Sequence, residues 1–237
     1  MDYLLLVSTI AAGALSVFML RLYEPKHIKL LNAFTGAYLL CLTFLHLLPE
    51  LYHAQTAPNE IRIGILVLAG FFTQVALDVI SMGVEHGHAH HLHGRMKVIG
   101  VLAGLCLHAL VEAMALGSPA THYDPGSRRL LLYSIVLHNY PVSIALLGML
   151  LQTGMTRRSA ITLLALFAGM APLGMFLSAH TGLAAYSREL TAIVIGIFMH
   201  ISTTILFESS DIHRFNLAKL GAIIAGIALG FLSLMLH

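Results

Sequence analysis

Eight apolar runs, each long enough to cross the hydrocarbon core of a bilayer, divide this chain from end to end. They lie near residues 3–20, 30–48, 62–84, 97–117, 130–152, 159–179, 187–207 and 215–236. A helical crossing takes about 20 apolar residues, because 1.5 Å of rise per residue must cover about 30 Å. Inside the bilayer the backbone has no water to bond with, so runs of this length belong to helices. The class is therefore all-α, a polytopic membrane bundle of eight transmembrane helices. Composition excludes a soluble fold: 58% of the 237 residues are hydrophobic and 10% are charged, against about 25% charged in an ordinary soluble domain. The breaks carry turn residues, among them Glu24-Pro25-Lys26, Asp124-Pro125-Gly126 and Thr153-Gly154. The reading assigns 1–237 to one transmembrane domain with a histidine-rich loop at 85–95 inside it. Met1-Asp2-Tyr3 brings no positive charge before the first run, so that run is expected to be a retained helix rather than a cleaved leader.

Lysine and arginine set the expected orientation. With the N-terminus outside, Arg21, Lys26, Lys29, Arg95, Lys97, Arg157, Arg158, Arg214 and Lys219 fall inside, and Arg62, Arg128, Arg129 and Arg188 outside. Nine against four places both termini outside. The short loops suggest a bacterial inner membrane. A net charge of +2 without a basic tract gives nucleic acid no handle. Cys41 and Cys106 lie in separate apolar runs and read as packing residues. Small residues at Gly221, Ala225 and Ala228 of the last helix would suit a homodimer or internal packing equally.

Ionisable groups within spanning helices are costly and usually mark function. Here they are Asp78, His108, Glu112, His138 and His200, with His46, Glu50 and Glu208 at helix ends. His108 and Glu112 are spaced i, i+4 in LCLHALVEAMALG. They share one helix face, where both could reach a single cation or hydrogen-bond to each other. In the fifth helix, LHNYPVSIALLG sets His138 and Asn139 beside Pro141. A proline there is expected to break the helix at a midplane site or merely to kink it. Rise per residue puts His108 ~16 Å up from one face and His138 ~12 Å down from the other, a common central depth. Three ligand-type residues at one level favour a metal. His46 and Glu50 repeat the i, i+4 spacing beside Pro49, as an interfacial cap or a metal-collecting pair. His200 reads better as a hydrogen-bonded interior histidine than as a ligand. The run Glu85 to His93 holds His86, His88, His90, His91 and His93, a loose metal-binding tract on the inner side. Glu208, Asp211 and His213 mark the inner mouth.

Together these segments resemble the ZIP (Zrt/Irt-like) family of divalent-metal transporters. HLLPE closes the second helix, and HALVEAMALG is similar to the family's H-x-x-x-E-G-x-x-x-G signature. HNYPVSIALLG is similar to H-x-x-P-E-G, and AGMAPLG and GIFMHISTTILFES match later segments. The resemblance implies that helices one to three and six to eight form an inverted repeat around helices four and five. It also implies Zn²⁺ as the transported ion, with Cd²⁺, Fe²⁺, Co²⁺ or Mn²⁺ as other cargo. The implied ligands are His108, Glu112 and His138, with Asn139 as the one residue of a secondary site that could still ligate. The family's second carboxylate falls at Val142, and the positions equivalent to other second-site ligands are Ala109 and Ala171. One three-ligand site is thus expected rather than a binuclear centre.

The expected mechanism is alternating access. His46 and Glu50 collect the ion from outside, and His108, Glu112 and His138 hold it at mid-depth. It leaves past Asp78, Glu208 and Asp211 into the cytoplasm, where the histidine loop buffers it. With Zn²⁺ and an ionised Glu112 the site keeps a net +1, which favours release. Two alternatives stand beside this one: a membrane metal sensor, and a haem-binding electron-transfer protein ligated by His108 and His138. No HExxH motif or nucleophile elbow occurs, so an enzyme is not expected.

Overall fold

The structure is a computed structural model and describes residues 1–20, 24–53, 60–81, 95–117, 125–207 and 217–236. Every regular element among these is helical. Helix α1 spans Asp2–Leu20. Helix α2 begins at Pro25, earlier than the apolar run, because the first turn has no use for the N–H that proline lacks. It is α-helical over Pro25–Leu42, passes through a π-helical turn at Thr43–Leu47, and closes over Leu48–His53. Then come α3 (Glu60–Ser81), α4 (Arg95–Met114) and α5 (Pro125–Gln152). Helix α6 (Arg157–His180) starts on Thr156, whose hydroxyl accepts from the Ser159 amide. A 3-10 turn at Gly182–Tyr186 leads into α7 (Ser187–Phe207), and α8 spans Leu217–Met235. Seven of these eight are long and apolar enough to cross a membrane, while α4 carries a shorter apolar stretch, Val98–Met114.

Of the two readings of Pro141, the broken helix does not form. Pro141 does not open α5, which runs unbroken through it, as α6 does through Pro172. A proline removes one donor, and a helix in hydrocarbon keeps its remaining bonds because nothing else satisfies them. Side chains of α1 clip the same region. Thr9 donates to the Val136 carbonyl at 2.9 Å, and Ser16 and Tyr140 share a 2.7 Å hydrogen bond.

The tightest packings are α3 on α7, α2 on α8, α4 on α6 and α1 on α5. Exchanging α1 with α6, α2 with α7, α3 with α8 and α4 with α5 maps this set of pairs onto itself. That is the relation an inverted repeat around α4 and α5 requires. Glycines allow the close approaches that drive association where the solvent is as apolar as the side chains. A Cβ at Gly70 of α3 would overlap the Ile193 carbonyl of α7, and one at Gly196 of α7 the Val67 carbonyl of α3. Likewise Gly174 of α6 sits on the Leu110 carbonyl of α4, and Gly13 of α1 on Ser143 and the Tyr140 carbonyl of α5. Leu110 follows His108 by two residues and Tyr140 follows His138 by two, so the two candidate ligands occupy equivalent places in the repeat.

Helix α5 is the most enclosed and α8 the most exposed. Gly226 and Gly230 face α2, whereas Gly221, Ala225 and Ala228 lie on the outward side of α8. Internal packing therefore does not account for those three.

Several arginines are tied down at the ends of the bundle. Arg62 pairs with Glu189 at 3.1 Å, Arg128 with Asp2 at 2.7 Å, and Arg188 donates to the Leu51 carbonyl at 2.8 Å, all at one end. Lys219 donates to the Leu206 carbonyl at the other end, at 3.2 Å. Arg128, the residue most at odds with the charge bias, is thus neutralised by a carboxylate of the same chain.

Candidate metal site

The site is built where α4 passes α5. His108 and Glu112 are fully buried, as the shared helix face requires, and His108 Nε2 stands 3.6 Å from Glu112 Oε2. That separation is too long for a hydrogen bond. It matches two tetrahedral ligands of one zinc, which stand about 3.3–3.6 Å apart when each is about 2.0–2.2 Å from the metal. His138 comes from α5, 1% exposed, and meets the His108 ring edge to face at 5.7 Å between centroids. The three candidates of the sequence analysis are therefore neighbours. They do not form a closed shell: among the described residues no three His, Cys, Asp or Glu side chains already converge as a metal group.

Asn139 is buried beside His138, and neither its Oδ1 nor its Nδ2 has a hydrogen-bonding partner among the described residues. A buried amide in that condition is costly and asks for a ligand or water. Val142, which the repeat relates to Glu112, is fully buried in the apolar core. The centre thus carries one carboxylate and no second one across from it.

Gln74 of α3 is the residue that sequence reasoning missed. Its Oε1 lies 3.0 Å from His108 Nδ1, its Nε2 lies 3.2 Å from Asp78 Oδ1, and Asp78 Oδ2 lies 2.6 Å from His200 Nε2. The signal available was a lone glutamine four residues before Asp78 in an apolar helix. His200 is the hydrogen-bonded interior histidine that the sequence favours, its ring edge-on to Phe71 at 5.0 Å. Asp78 is therefore engaged rather than a bare acidic lining.

The remaining candidates lie apart from this centre. His46, in the π-helical turn of α2, pairs with Glu50 at 3.3 Å and with the Ser127 hydroxyl at 2.8 Å. Single-turn π segments recur at functional positions. Ser127 precedes His138 by eleven residues on α5, so this pair sits ~16 Å along the axis from the centre. Asp78 lies ~6 Å beyond Gln74 in the opposite direction. His86, His88, His90, His91 and His93, with Glu208, Asp211 and His213, fall outside the described residues.

Fold and site together define a polytopic helical membrane protein with polar donors buried between its central helices, the architecture of membrane carriers. The sequence model described as "ZIP Zinc transporter" matches residues 81–236, about two thirds of the chain, and the chain belongs to that family. It is a family of transporters, not enzymes. Similar curated proteins include Zinc transporter ZIP9-B of Xenopus laevis and Zinc transporter ZIP9 of Xenopus tropicalis. Each is 28% identical over 131 residues, 54% of this chain and 42% of the relative. Zinc transporter ZIP9 of Micropogonias undulatus is also 28% identical over 131 residues, with 41% of its length covered. The match thus spans less than half the length of these relatives.

Proposed function

We propose that this protein carries a divalent cation, zinc foremost, through the membrane into the cytoplasm, holding it at mid-depth on His108, Glu112 and His138. The observation that carries the reading is the 3.6 Å between His108 Nε2 and Glu112 Oε2 inside a fully buried centre. Charged groups persist there only when function needs them. Asn139, with its amide unpartnered among the described residues, supplies a fourth donor. His138 turns toward the pair when metal arrives, closing a shell that is open without it.

Two imidazoles and one carboxylate suit zinc, cadmium, cobalt or iron better than manganese, which prefers more oxygen ligands. An exchangeable ion must be held loosely enough to leave. One carboxylate rather than two serves that end. His46 and Glu50 collect the ion at one end, and the Asp78–His200 pair stands on the way to the other. The lysine and arginine bias makes the first end external, and the histidine loop at 85–95 buffers the ion inside. Rocking of the two repeats against α4 and α5 switches access.

The test is uptake into proteoliposomes loaded with a zinc-sensitive dye, wild type beside His108→Ala and Glu112→Ala. Loss of uptake in both variants with folding intact supports the reading. Undiminished uptake in both places the ion elsewhere. A wild type that binds zinc at this centre but moves none is a sensor.

A further inference from the structure

We propose that Gln74, oriented by Asp78, fixes His108 in the tautomer that presents its Nε2 lone pair to the metal, which makes both of them positioning residues. The inference rests on His108 being a ligand. A neutral imidazole has one N–H and one lone pair, and the group bonded to one nitrogen decides the state of the other. The group on Nδ1 here is an amide, which can show a ring either an acceptor oxygen or a donor NH₂. Its other contact removes the choice.

Gln74 is fully buried and spans His108 on one side and Asp78 on the other, at 3.0 and 3.2 Å. Asp78 Oδ2 is taken up by His200 Nε2, 2.6 Å away. With Oδ2 occupied, Oδ1 is the oxygen that accepts, and Gln74 turns its NH₂ toward it. Its Oε1 is then left for the ring, and His108 Nδ1 must be the donor. The lone pair therefore stays on Nε2, the nitrogen 3.6 Å from Glu112 Oε2. The orientation passes from α7 through α3 to α4, along His200, Asp78, Gln74 and His108. It delivers a ligand nitrogen already bare of its proton to the centre. Outer partners of this kind raise metal affinity by holding ring and tautomer before the metal arrives.

The experiment reads the tautomer directly. Apo protein labelled with ¹⁵N-histidine is observed by NMR, with the His108 resonances identified by their loss in His108→Gln. Zinc affinity is measured in parallel by competition with a fluorescent chelator. Wild type is expected to show the proton of His108 on Nδ1. Gln74→Leu is expected to lose that single tautomer and bind zinc about 10–100-fold more weakly. Gln74→Glu keeps an acceptor opposite Nδ1 and is expected to retain the tautomer and most of the affinity. A wild-type His108 protonated on Nε2 overturns the proposal without need of any variant. So does a folded Gln74→Leu protein with tautomer and affinity unchanged. If the tautomer responds as expected but His108→Gln binds and carries zinc like wild type, the ligand reading of His108 fails while the orienting contact stands.

Discussion

Replacing Glu112 with glutamine separates charge from shape at the buried centre, because the two side chains are nearly isosteric. Glu112 has no solvent exposure and faces His108 Nε2 at 3.6 Å. With metal bound, its carboxylate is the only anion among the proposed ligands. Removing one partner from a buried charge pair costs about 3–5 kcal/mol. At about 1.4 kcal/mol per factor of ten, that is a loss of roughly 10²–10⁴ in zinc affinity. The amide keeps one oxygen donor in place, so the low end, about 100-fold, is expected. Without metal the sign reverses. An ionised carboxylate pays several kcal/mol to leave water, and a neutral amide pays less, so the melting temperature of the apo variant should be unchanged or raised. Chelator competition and thermal unfolding in detergent, each with and without zinc, measure both. A fall in affinity of less than about tenfold, or an apo protein that melts clearly earlier, would refute the assignment of Glu112 as the charged ligand.

Three further outcomes are expected. Val142→Glu sets a second carboxylate at the place the repeat relates to Glu112, and it should shift the ratio of manganese to zinc uptake toward manganese, read by competition in proteoliposomes. Zinc affinity should rise with pH between about 5.5 and 7.5, because imidazoles must lose a proton to ligate; a flat profile counts against histidine ligation. Gly196→Ala pushes a Cβ into the Val67 carbonyl where α7 crosses α3, and overpacking of this kind costs about 1–3 kcal/mol. Its unfolding temperature should fall, whereas Gly169→Ala, with open space around it, should leave it where it is.

The helices were legible in the sequence because run length against bilayer thickness is a one-dimensional test. All eight appear where the apolar runs lie, with shifts of a few residues at ends such as Pro25 and Pro125. Helix count alone then puts Arg62, Arg128 and Arg188 at one end, where each finds a partner. Spacing within one helix was readable too. His108 with Glu112, and His46 with Glu50, face each other because i and i+4 always share a face.

Register between helices was not readable, because it depends on how closely two backbones approach, and that is set by glycines whose neighbours are distant in sequence. Gly174 against Leu110 and Gly13 against Tyr140 decide what stands opposite each buried donor. The sequence marked Asp78 and His200 as costly and could not show that they answer each other. It offered Pro141 as a break or a kink, and α5 stays helical through it. Gln74 carried only the weak mark of a lone amide four residues before Asp78. Only the packing of α3 between α4 and α7 turns that amide into the link between His108 and Asp78, since a single polar side chain acquires meaning from the groups that three-dimensional contact puts within its reach.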